Sequence, residues 1–217
     1  MEGKVLKTGT TTVGIVCKDA VILAADKKTT FGGMMVASTK TEKVLILNED
    51  LAVTTAGSVS DIQLFVKLLK AQVKLDELRK NKKLKTKEVT NFLASVIYSS
   101  ARQYIPSLTG FLVGGRDIEG THLYELGSDG SIMEFDDFVS DGSGMMYATG
   151  VLESGWKKDM SLDEGMKLAV KAVSASMQRD TASGGGIDVV AITKDGIKKV
   201  LTKQLDTRLT LWEINIF

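Results

Sequence analysis

The periodic pattern begins with Thr11 to Cys17, an alternating β-branched run, followed by the turn Lys18-Asp19 and a second apolar run from Ala20 to Asp26. Two such runs across a short turn predict a hairpin, and its open end near Thr11 is expected at the edge of a sheet. Residues 27–33 read as a polar loop. Strands are predicted from Met34 to Ser38, Lys43 to Leu47 and Leu51 to Thr55, the last two joined by Asn48-Glu49-Asp50. After Ala56-Gly57-Ser58 the period changes: Ile62, Phe65, Val66, Leu69, Val73 and Leu75 recur at helical spacing and predict a long amphipathic helix. Lys80 to Lys83 break it, and Thr86 is placed to cap a second helix carrying Val89, Phe92, Leu93, Val96 and Ile97 before Pro106. Strands resume at Leu108 to Val113, Thr121 to Leu126 and Ser131 to Phe135, and a third helix is predicted from Met145 to Trp156. A fourth opens on Ser161-Leu162-Asp163-Glu164, the pattern of a capping box, and runs to about Gln178. The last strands are Ile187 to Thr193 and Lys198 to Thr202, joined by Lys194-Asp195-Gly196. This order predicts an α+β fold in four layers, α-β-β-α: two packed antiparallel sheets, each flanked by a helix pair. With no Pro- or Ser-rich linker and no repeat, one domain is expected.

At 217 residues, 43% of them hydrophobic, the chain suffices for a full core. Its net charge of +1 leaves no electrostatic footprint for nucleic acid or a membrane surface, and the lysines between Lys80 and Lys87 read as a solvated helix connection. The single cysteine, Cys17, excludes an intrachain disulfide and the usual thiolate zinc sites. It reads as a buried structural thiol, and a cytoplasmic setting is expected. The single histidine, His122, reads as a strand residue on a partly exposed face. A histidine-rich metal site is therefore excluded, and a hydrolase built on this chain is expected to draw its base from elsewhere. No metal or cofactor is expected. Ser183-Gly184-Gly185-Gly186 and Gly114-Gly115 lack the lysine and spacing of a phosphate loop. Residues 1–9, with Glu2, Lys4 and Lys7, lack the apolar stretch of an export signal or anchor.

Candidate chemistry lies in Gly9-Thr10-Thr11-Thr12-Val13-Gly14. Read alone, this is foremost the start of a strand, since threonine is a good strand former. If the chain is cut after Gly9, however, Thr10 carries a hydroxyl and a free α-amine on one residue. An α-amine with a pKa of roughly 7.7–8.0 is suited to accept the hydroxyl proton near neutral pH, so one residue becomes nucleophile and base together.

The stretches Thr8-Gly9-Thr10-Thr11-Thr12-Val13-Gly14, Ala25-Asp26, Glu42-Lys43-Val44, Thr54-Thr55-Ala56-Gly57, Gly142-Ser143-Gly144, Gly150-Val151-Leu152-Glu153 and Arg179-Asp180-Thr181-Ala182-Ser183-Gly184-Gly185 occur in order along almost the whole chain. Together they resemble the proteasome β subunits of the N-terminal-nucleophile hydrolases, and the archaeal kind with its short leader most of all. The resemblance implies removal of residues 1–9 by autocatalysis, leaving 10–217 as the working domain and the uncut chain as a zymogen. It implies Thr10 as nucleophile, Asp26 and Lys43 as a buried ion pair beside it, the Gly57 N–H as oxyanion donor, and Ser143, Asp180 and Ser183 around the N-terminal amine. A lysine there disfavours added positive charge and so lowers the pKa of amine and hydroxyl, while the aspartate orients it.

By the same comparison Thr29, Thr30, Thr41, Leu45, Thr55 and Val59 line the pocket for the side chain before the cut bond. That lining is small and uncharged, which predicts cleavage after hydrophobic residues. Two departures stand out. The loop between Asp26 and Lys43 is one residue longer than in many relatives, and Glu42 stands where a second lysine is frequent; strand alternation predicts Glu42 on the face opposite Lys43. The implied partners are other β subunits in a heptameric ring, α subunits, a regulatory ATPase reached through the α ring, and unfolded polypeptide as substrate. Two alternatives stay open: a catalytically silent ring subunit, whose signature is loss of Thr10, Lys43 or Gly57, all present here, and an amidohydrolase using the same chemistry on a small amide.

Overall fold

The computed structural model describes residues 9–32 and 34–205; of the expected leader, only Gly9 lies within them. The elements are β1 (Thr12–Cys17), β2 (Ala20–Asp26), β3 (Thr29–Phe31), β4 (Met35–Ser38), β5 (Val44–Ile46) and β6 (Leu51–Gly57), then α1 (Val59–Lys80) and α2 (Thr86–Ala101). They continue with β7 (Thr109–Asp117), β8 (Gly120–Leu126), β9 (Ile132–Phe135), β10 (Phe138–Asp141), α3 (Met145–Gly155), α4 (Leu162–Arg179), β11 (Gly186–Thr193) and β12 (Gly196–Gln204).

Two five-stranded antiparallel sheets form, in the orders β10-β1-β2-β11-β12 and β5-β6-β7-β8-β9, with β3 and β4 as a separate ribbon. Strand periodicity explains why the chain makes four layers. In β2, Ala20, Ile22 and Ala24 join α3 and α4 residues such as Leu152 and Val173 in one core. The alternate Val21, Leu23 and Ala25 enter a second core between the sheets, against Ala52, Leu112 and Leu123. In the other sheet Val53, Phe111 and Val113 meet Leu69, Leu93 and Ile97 of α1 and α2. A strand apolar on both faces needs cover on both, and the helix pairs supply the outer one. Leu69, Leu93 and Ile97 have no exposed surface, and each such side chain contributes about 1.5–3 kcal/mol by burial. Cys17 lies in the first core, where burial, with Glu164 adding to it, pushes its thiol up to about 11.

The expected layers therefore form, with local corrections. β10 was not expected; it pairs with β1, Thr12 opposite Asp141, so β1 is an inner strand rather than an edge. β3 replaces part of the polar loop. Lys43 precedes β5 instead of beginning it. Thr86 is not the cap of α2: Lys85 holds that position, and Thr86 lies in the first turn with its N–H donated to Asp117 (2.8 Å). The predicted capping box of α4 is present, Ser161 N donating to Glu164 Oε2 (2.9 Å) and Glu164 N to Ser161 Oγ (3.3 Å).

Candidate active site

Thr10 leads into β1, and what surrounds it comes from four other segments: the end of β2, the approach to β5, the turn after β10 and the loop after α4. Asp26 closes β2, the neighbour of β1, with Thr12 opposite Ala25. Both oxygens of its fully buried carboxylate are taken. Oδ1 accepts from Thr11 N (2.9 Å) and Lys43 Nζ (2.8 Å); Oδ2 accepts from Lys28 N and Gly184 N, both at 2.9 Å. A carboxylate engaged by four donors is fixed in place and orients its partners. Lys43 is buried too, and its Nζ has a second acceptor, Gly9 O at 3.2 Å. Burial lowers the Lys43 pKa from the ordinary lysine value, with Asp26 acting against the shift.

Gly9 O is also the acceptor for Thr10 Oγ1, at 2.5 Å. The hydroxyl and the ammonium thus meet at one carbonyl oxygen, that of the peptide bond preceding Thr10. Glycine is required there by packing: a Cβ on Gly9 would fall 2.0 Å from Ala182 Cβ. A second polar group holds the Thr10 nitrogen. Thr10 N donates to Ser143 Oγ (3.1 Å), and Ser143 Oγ donates to Asp180 Oδ2 (2.6 Å). Ser183 Oγ donates to the same oxygen (2.6 Å) and lies 2.7 Å from Thr11 Oγ1. The loop after α4 and the turn after β10 therefore converge on Thr10.

Thr10 and Gly9 open on a cleft of about 850 Å³, lined also by Lys43 and Gly57 and by Thr29, Thr30, Thr41, Leu45, Thr55 and Val59. Every residue expected in the specificity pocket is brought to it. Thr29 Oγ1 donates to Thr41 Oγ1 (2.8 Å), which fixes one wall. Gly57 ends β6 with φ of +119°, and a Cβ there would fall 2.1 Å from Leu108 O, so only glycine fits the turn from β6 into α1. Glu42 lines the cleft as well, contrary to the alternation argument, because residues 42 and 43 precede β5 and no pleat separates them; its carboxylate pairs with Lys199 (2.7 Å). Sequence reasoning missed the wall from α1, including Ile62, Val66, Lys67 and Lys70. It also missed the buried pair Lys27–Asp188 (2.6 Å) beside the site.

His122 is not in this constellation. On β8 it lies between Asp117 and Glu134, at 3.2 and 3.3 Å. Asp117, Glu119 and His122 bring possible metal-ligand atoms together, but Asp117 already accepts the Thr86 N–H and Glu119 pairs with Lys85 (2.5 Å).

Residues 6–192 match the family model described as proteasome subunit. The chain is 43% identical over 191 residues to a proteasome subunit beta of Methanocaldococcus fervens, covering 88% of this chain and 84% of that one. It is 40% identical over 210 residues to one from Archaeoglobus profundus, covering 97% and 96%, and 39% identical over 209 residues to one from Ferroglobus placidus, covering 96% and 98%. By this match over most of its length, the chain belongs to the proteasome subunit family and is similar to its archaeal β subunits.

Proposed function

We infer that this chain is a proteolytic β subunit of a 20S proteasome core, a threonine-type endopeptidase whose nucleophile is the Thr10 hydroxyl after residues 1–9 are lost. The observation that carries the reading is the meeting of Thr10 Oγ1 and Lys43 Nζ at Gly9 O, at 2.5 and 3.2 Å. In maturation Thr10 Oγ attacks the Gly9 carbonyl carbon and the Gly9–Thr10 C–N bond breaks. The acyl group passes to oxygen, the nitrogen becomes a free amine, and water then hydrolyses the ester to release residues 1–9. The Lys43 ammonium favours negative charge developing on the carbonyl oxygen.

Peptide hydrolysis repeats the sequence in trans. The α-amine takes the hydroxyl proton, Oγ attacks the substrate carbonyl, the C–N bond breaks with the proton passing to the leaving nitrogen, and water resolves the acyl-threonine. Ser143 Oγ, already an acceptor for the Thr10 nitrogen (3.1 Å), holds the amine in orientation, while Asp180 and Ser183 hold Ser143 and Thr11. Gly57 serves as oxyanion donor. The cleft receives the side chain before the cut bond, and Leu45, Val59 and Val66 favour an apolar one. Assembly with other β subunits in a heptameric ring, with α subunits above it and an ATPase feeding unfolded chains, is the setting this family membership favours, in the cytoplasm. Among the described residues no helix is long and apolar enough to cross a membrane.

Intact mass and peptide hydrolysis, measured on protein assembled with its α subunits, test the reading. The wild type is expected to lose residues 1–9 and cleave peptides; Thr10→Ala is expected to do neither. A Thr10→Ala protein that still cleaves peptides overturns it.

A further inference from the structure

Thr10 stands between two hollows. The cleft described above touches Gly9, which supplies the carbonyl of the bond preceding Thr10, so that side accommodates chain before a cut bond. A second hollow of about 490 Å³ shares Gly57 with it and includes Ser143, the partner of the Thr10 nitrogen, but not Gly9. It adjoins Gly57 and Ser143 without touching Gly9, as a site for chain after the cut bond would.

Its lining is unlike that of the first. Glu125 of β8 and Asp141 of β10 both face it. Burial, with Asp141 as a like-charged neighbour, pushes the Glu125 carboxyl up; burial raises Asp141 too, offset in part by the Gly142 N–H at 2.6 Å. No lysine or arginine stands among the groups acting on either one. The register places Glu125 opposite Leu112, on the face turned to the other sheet, and a Cβ on Gly110 of that same face would run into Asp141 Oδ2, so the two carboxylates lie on one side of the sheet. Two neighbouring carboxylates without a cation are destabilising until one arrives.

We propose that this hollow is the subsite for the residue following the cut bond, and that Glu125 and Asp141 select lysine or arginine there. The subsite rests on the reading of Thr10 as nucleophile and adds no step to it: the C–N bond breaks, the acyl group goes to Oγ, and the departing amine carries the proton away beside the same two carboxylates.

The test uses internally quenched peptides, identical before the scissile bond, with Lys, Arg, Leu or Glu after it, and the same leading residues joined to an uncharged dye amide. The α-assembled protein is assayed at low salt, with cleavage positions fixed by mass. Lys and Arg are expected to exceed Glu in kcat/KM by about tenfold, the scale of one charge-assisted contact. Glu125→Gln should bring the ratio towards parity, and Asp141→Asn provides the second variant. Each ratio is taken within one preparation, so the fraction of folded, processed sites cancels. Dye hydrolysis with equal rates for all four peptides, or a preference untouched by both substitutions, overturns the subsite alone. No dye hydrolysis by the wild type overturns the Thr10 reading, and the subsite with it.

Discussion

Two buried lysine–carboxylate pairs lie side by side at the end of β2, and one of them reaches the carbonyl that precedes Thr10. Asp26 pairs with Lys43 at 2.8 Å, and the next residue, Lys27, pairs with Asp188 at 2.6 Å. Both pairs are almost wholly shielded from solvent, so both carry the same desolvation cost. They differ in what surrounds them. Asp26 has four donors, whereas Asp188 Oδ1 has no partner among the described residues. Lys43 also reaches Gly9 O, whereas Lys27 Nζ bonds Asp188 and ties the end of β2 to β11. Burial of an ion pair thus does not by itself single out Lys43; its second contact, with the carbonyl preceding Thr10, is what sets the proposed catalytic pair apart.

The sharpest break of this contrast is Lys43→Met against Lys27→Met. Loss of Lys43 is expected to reduce both leader removal and peptide hydrolysis by about 10²–10³-fold, the range for loss of one group that stabilises a developing oxyanion. Steady-state rates on α-assembled protein check this, and near-normal turnover by Lys43→Met erases the distinction. Lys27→Met should instead destabilise the fold by about 3–5 kcal/mol, because Asp188 is left as an uncompensated buried charge. Denaturant midpoints should recover in the double variant Lys27→Met/Asp188→Leu, and the protein that does fold should keep peptidase activity. The smallest expected effect is on the pH profile. Activity should rise as the α-amine loses its proton and fall as Lys43 loses its own, on an alkaline limb below the ordinary lysine value of 10.5 because burial lowers it. Arginine stays protonated over that range, so Lys43→Arg should shift the limb upward in whatever activity remains. An unmoved limb assigns it to another group.

The same contrast explains what was legible beforehand. The layers followed from periodicity, because strands with two apolar faces and helices with one leave few ways to cover every face. Thr10, Asp26 and Lys43, which the structure brings together, were readable only through the resemblance that their short motifs carry jointly. Lys27–Asp188 was not, since 161 positions separate the two and an isolated lysine after a strand reads as solvated. The four-residue β10, between Asp137 and Gly142, is too short to show a period, and with it went the inner position of β1. Periodicity in α1 revealed which side is buried but not that Ile62, Val66, Lys67 and Lys70 reach the cleft. Glu42 was misplaced by applying strand alternation one residue before the strand begins.

The central claim is that one residue supplies both the attacking oxygen and the proton acceptor. It is tested most directly by producing the chain with Thr10 as its first residue, α-assembled, and comparing free and acetylated α-amine in the same peptide assay. Acetylation leaves the hydroxyl, Lys43 and the cleft in place and removes only the base. Hydrolysis by the free amine and a loss of about 10²-fold or more on acetylation is the result predicted; equal rates for the two forms would contradict it.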